Sequence, residues 1–89
     1  MQNQPLQFQL EKLHAELQKI DVPDAKEREL LRTLEQDIKT ILEHDRVPPE
    51  QYSGLGERLK DAIAKLEASH PKTTLSMRQV IDQLSFLGI

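Results

Sequence analysis

Leu6, Leu10, Leu13, Leu17 and Ile20 follow one another at intervals of four, three, four and three residues. That spacing puts all five on one stripe of a helix, and a strand, with its period of two, cannot reproduce it. The pattern predicts a first helix over about residues 5–21, with Asn3 and Pro5 as start signals. "DVPD" at 21–24 ends it, because the residue before a proline avoids the α region. Asp24 is placed to cap a second helix, and Glu27, three residues on, to complete a capping box. This second helix, about 25–43, carries Leu30, Leu31, Leu34, Ile38, Ile41 and Leu42 over an arc of about 120°. So wide a face meets more than one neighbour, and so short a connection makes the first two helices an antiparallel hairpin.

"HDRVPPEQYSGLG" then breaks the rhythm with two prolines and two glycines. Residues 44–48 are expected to be a loop, and a third helix to run over about 49–69, with Pro49 in its first turn. Its stripe is Tyr52, Leu55, Leu59, Ile63 and Leu66. Gly54 and Gly56 each disfavour a helix interior by about 1 kcal/mol relative to alanine, so its first turns are expected to fray. A fourth helix, about 71–87, presents Met77, Val80, Ile81, Leu84 and Leu87. Gly88 and Ile89 form its C-terminal cap, the glycine in the left-handed conformation and Ile89 packing back on Leu84.

The junction Ser69-His70-Pro71 admits two structures. Leu59, Ile63, Leu66, His70, Thr73, Met77, Val80, Leu84 and Leu87 keep a four-three rhythm across it, as one kinked helix would. Against this, Pro71 would remove a helical hydrogen bond and clash with the carbonyl of Glu67, at about 3 kcal/mol or more. Ser69 is also a natural cap for a new helix. The expectation is two helices separated at the junction. The alternative is a continuous arm of about 38 residues, nearly 57 Å long, whose far half would need another chain to cover it.

Composition bounds what the fold can do. Eighty-nine residues make one domain that buries only about 60–65% of the surface of its unfolded chain. Cysteine is absent, which removes disulfides and thiolate metal sites and fits a reducing compartment. The N-terminal residues lack the basic start and unbroken apolar run of a secretory signal, and no window approaches the 18 or so apolar residues that span a bilayer. A cytoplasmic protein with no membrane association is expected. The chain has fifteen acidic and twelve basic residues, and the two signs are interleaved along the first 72 residues, without the basic stripe that accompanies nucleic-acid binding. From Thr73 onward Arg78 and Asp82 are the only charged side chains.

Candidate chemistry is sparse. Glu-x-x-His occurs twice, as Glu11 with His14 and as Glu67 with His70. In four-helix di-metal proteins two such motifs combine with glutamates from the other helices. Here Glu11 projects away from the apolar stripe, and the fourth helix contains no glutamate. His14 is read as a boundary residue, His44 as a partner for terminal carbonyls, and His70 as a capping or hydrogen-bonded side chain. No nucleophile motif and no phosphate-cradling glycine loop is present, and Tyr52 and Phe8 are read as packing residues. No catalytic residue, metal or cofactor is expected.

"LEKLHAELQ" near the start, "LEASHPKTTLSMRQVIDQLSFLGI" at the end and the acidic helix between them resemble the short bacterial helical proteins of domain-of-unknown-function family 4404. His14, Ser69, His70, Pro71, Gly88 and Ile89 match that pattern. Gly54, Gly56 and the Lys72-Thr73-Thr74 run depart from it. The resemblance implies a bacterial, cytoplasmic, helical protein with no assigned activity.

The sequence as a whole predicts an all-α, non-enzymatic interaction module that self-associates, a dimer being favoured. Self-association is expected through the fourth helix or the stripe spanning residues 59–87; Leu75 and Phe86, on the side of the fourth helix away from its core stripe, are the candidate contacts, and Met77, Leu84 and Leu87 belong to the core. The opposing readings are an adaptor that binds an amphipathic helix of another protein and a metal-binding carboxylate protein.

Overall fold

A computed structural model describes residues 4–88, which form α1 (Gln4–Lys19), α2 (Ala25–Leu42), α3 (Pro49–Leu66) and α4 (Pro71–Phe86). No strand occurs among the described residues. Each helix packs on its neighbour in the chain, and α4 returns to α1, closing a four-membered ring. Short connections make the neighbours antiparallel, which is the up-down-up-down arrangement of a four-helix bundle. Its dimensions are 38 × 21 × 20 Å.

The aliphatic stripes meet inside this ring. Leu6, Leu10, Leu13 and Leu17 of α1 face Leu31, Leu34, Ile38 and Ile41 of α2, with Leu55, Leu59, Ile63 and Leu66 of α3 and Met77, Val80 and Leu84 of α4 completing the core. At about 25 cal/mol per Å² of apolar surface, their burial is the main force that assembles the bundle. Ile20, Leu30, Leu42, Tyr52 and Ile81 pack around its margin, half-buried. Leu87 departs from expectation: it is 36% exposed, because α4 ends at Phe86 and Leu87 serves as the C-cap residue. Phe8 departs further, at 63% exposed; two residues from both Leu6 and Leu10, it points outward from their stripe.

Local chemistry explains where the helices stop. Asp24 is the N-cap of α2 and its Oδ1 accepts the Glu27 amide at 2.9 Å. Between α1 and α2 the chain drops Val22 into the core, 3% exposed, and Arg28 Nη1 donates to the carbonyls of Val22 at 3.3 Å and Pro23 at 2.9 Å. α1 itself ends at Lys19, two residues before the expected boundary, although Ile20 still donates to the Glu16 carbonyl at 3.1 Å.

The proline junction is a true break. α3 ends at Leu66, earlier than residue 69, and the amides of Ser69 and His70 both turn back to the Leu66 carbonyl, at 3.2 and 2.8 Å. His70 adopts φ −135° and ψ 65°, out of the α region as a residue before proline must be, and Pro71 opens α4 at the position where a missing N–H is harmless. A continuous arm of about 57 Å could not fit a molecule whose longest dimension is 38 Å. The unbroken rhythm across residues 59–87 arises because both helices turn an apolar stripe toward one shared core. Ser69 is not the cap: His70 occupies that position without a side-chain bond, and Ser69 Oγ points back to the Leu66 carbonyl at 3.5 Å.

Neither glycine interrupts α3. A Cβ on Gly56 would meet Leu84 Cδ1 at 3.7 Å, and one on Gly54 would meet Arg58 Nη1 at 3.5 Å, both ordinary contacts. Helical structure begins at Pro49 and runs through both glycines. α4 is likewise helical from Pro71 through Lys72-Thr73-Thr74.

Candidate functional site

The outward face of α4 holds the two candidate contacts. Leu75 is 55% exposed and Phe86 87% exposed, on the opposite side from the buried Met77, Val80 and Leu84. At 100° per residue, Leu75, Arg78, Asp82 and Phe86 fall within an arc of about 80°, and all four are exposed. The stripe reads apolar, basic, acidic, apolar. Arg78 Nη2 forms an ion pair with Glu67 Oε2 at the end of α3. Asp82 has no partner among the described residues.

The inner side of α4 has a different character. Thr74 and Ser76 are buried, and neither was expected in the core. Thr74 Oγ1 donates to the Pro71 carbonyl at 3.0 Å, and Ser76 Oγ lies 2.6 Å from both Glu16 carboxylate oxygens of α1. Their hydroxyls are therefore satisfied, as buried polar groups must be. The Ser76–Glu16 contact also marks the register of α4 against α1. By that register Phe8, one turn into α1, lies at the same end of the bundle as Phe86.

The remaining predicted positions are structural. Gly88 has φ +78° and donates to the Ser85 carbonyl at 3.0 Å, as a left-handed cap should; Ile89, like Asn3, lies outside the described residues. His70 is half-buried at the start of α4, with no side-chain capping bond. His14 is half-buried on α1, its Nε2 shielded from solvent without a partner. His44 Nδ1 lies 2.6 Å from the Thr40 carbonyl, and since a carbonyl only accepts, Nδ1 carries the proton. The Glu-x-x-His pairs are not gathered: Glu67 is exposed and engaged by Arg78, and among the described residues no three His, Cys, Asp or Glu side chains cluster as metal ligands.

A cavity of about 470 Å³ opens at the end of the bundle that holds the α2–α3 connection. Leu6, Leu10 and Ile41 of the core form its floor, and Leu42, Val47, Tyr52 and Leu87 its walls. Gln7 and the consecutive residues His44, Asp45 and Arg46 make the rim. Helical periodicity could not reveal this feature, because it depends on how the loop from 43 to 48 folds over the end of the helices. The available signal was the run His44-Asp45-Arg46 followed by Val47, a polar edge joined to an apolar residue in one short loop.

Among the described residues no helix is long and apolar enough to cross a membrane. The chain belongs to the family described as Domain of unknown function (DUF4404), whose model matches residues 6–89. No curated protein and no solved structure matches it.

Proposed function

We propose that this protein is a non-enzymatic interaction module that forms a two-fold dimer through the outward face of α4. The observation that carries this reading is the order of exposed side chains Leu75, Arg78, Asp82 and Phe86. Leu75 and Phe86 are centred between residues 80 and 81, and Arg78 and Asp82 on residue 80. An antiparallel copy placed about that centre sets Leu75 against Phe86 of its partner and Arg78 against the partner's Asp82. The face is thus complementary to itself in shape of charge and in apolar content, as an isologous interface requires. A second copy is favoured over an unrelated helix for this reason. The apolar pairs supply the driving force, and the charges, exposed at the margin, fix register more than they add affinity.

Light scattering or sedimentation over a micromolar concentration range tests it. The wild-type mass should rise from one chain to two, and Leu75→Glu with Phe86→Glu should hold the protein monomeric while its circular dichroism is unchanged. Arg78→Glu or Asp82→Arg alone should weaken the dimer, and the two together should recover part of the loss. A monomer at the highest concentration, or a dimer indifferent to the Leu75 and Phe86 changes, overturns the proposal.

A further inference from the structure

The end cavity has no part in the α4 interface, and its construction points to a ligand of its own. We propose that it binds a small amphiphilic anion, an aliphatic carboxylate of medium chain length. Its volume, about 470 Å³, falls in the range of roughly 300–1,000 Å³ usual for small-molecule sites. Leu10, Ile41, Leu42 and Val47 give the cavity an aliphatic floor and flank that suit an apolar ligand body, while Gln7, His44 and the Tyr52 hydroxyl add polar surface around it. The charged groups are confined to one edge, since Asp45 and Arg46 are neighbours in the same short loop. A molecule with an apolar tail and one charged head is the complement of that arrangement.

Arg46 selects the sign of the head group. Its guanidinium has no hydrogen-bond or ion-pair partner among the described residues, Asp45 included, so its donors are open to a ligand. The planar fork of arginine matches a carboxylate through two parallel hydrogen bonds. Tyr52, on the wall, adds a hydroxyl that is also without a partner and can donate to the same head group. Asp45 stands beside Arg46 and opposes an anion; it would instead favour a cation, and a cationic ligand of equal length is therefore the decisive control.

Calorimetric titration of the full chain with octanoate, acetate and octylammonium provides the test. Octanoate should bind saturably, with acetate and octylammonium each weaker by about tenfold or more. Arg46→Gln should weaken octanoate by about tenfold. Val47→Trp, which fills the cavity, should abolish binding in a protein that keeps its helical spectrum. If Val47→Trp does not fold, Tyr52→Phe, which removes only the hydroxyl, replaces it and should weaken octanoate severalfold. Leu75→Glu with Phe86→Glu should leave octanoate binding unchanged, so this site and the dimer face stand or fall separately. Absence of saturable binding, a preference for octylammonium, or octanoate affinity unaffected by Arg46→Gln overturns the proposal.

Discussion

The two ends of the bundle are built from the same helices and finished differently. At one end, Val22 plugs the core, Asp24 caps α2, Arg28 ties down two loop carbonyls, and the amides after Leu66 turn back on its carbonyl. At the other, Pro48 precedes α3 as an N-cap without a side-chain bond, Asp45 and Arg46 have no partners among the described residues, Leu87 stands exposed, and a cavity of about 470 Å³ reaches down to Leu10. All three connections are short, so length does not separate the ends. The difference is whether loop groups are used to satisfy the chain itself. At the closed end Asp24 and Arg28 do so; at the open end His44 does so on the Thr40 carbonyl, while Asp45 and Arg46 make no such bond among the described residues.

The sharpest way to break this contrast is to truncate one leucine at each end. Leu66→Ala, at a fully buried position, should destabilise the protein by about 2–5 kcal/mol. Leu87→Ala, on the cavity wall and already exposed to solvent, should change stability by less than about 1 kcal/mol. Equal losses in urea unfolding would show that the open end is packed as firmly as the closed one. A smaller effect is expected from Asp24→Ala, which removes the cap that receives the Glu27 amide. It should cost about 1 kcal/mol, read as a lower midpoint of thermal unfolding. Smallest, and opposite in sign, is Gly56→Ala near the open end. The new methyl meets Leu84 at an ordinary distance, so improved helix propensity should raise stability by about 0.5–1 kcal/mol. A loss of stability there would mean that the groove between α3 and α4 does not tolerate the added carbon.

These differences bear on how far sequence could lead. The four helices are legible because intervals of four and three among leucines and isoleucines admit one periodicity, and because Asp24, Pro49 and Pro71 mark starts with distinct chemistry. The exposure of Leu75 and Phe86 follows from the same geometry, since both lie opposite Met77 and Leu84. Phase alone could not decide the junction at Pro71, where a bent rod and a turn predict the same stripe; the local geometry of His70 and the length of the molecule decide it. Val22 escaped because it belongs to no periodic segment. Ser76 escaped because burial of a hydroxyl depends on a partner sixty residues away in the chain, Glu16. Leu87 fits the stripe but falls one residue beyond the last turn, where periodicity no longer controls direction. The cavity is hardest to foresee, being a property of loop path.

The closure of α4 against α1 also has a consequence for kinetics. Three of the four packed helix pairs join neighbours along the chain, and the α1–α4 pair alone brings distant segments together. Local hairpins can therefore assemble quickly, in microseconds to milliseconds for a topology so rich in short-range contacts. Docking of the first helix with the last closes the longest loop and carries the largest loop-closure entropy, and the Ser76–Glu16 bond requires that closure.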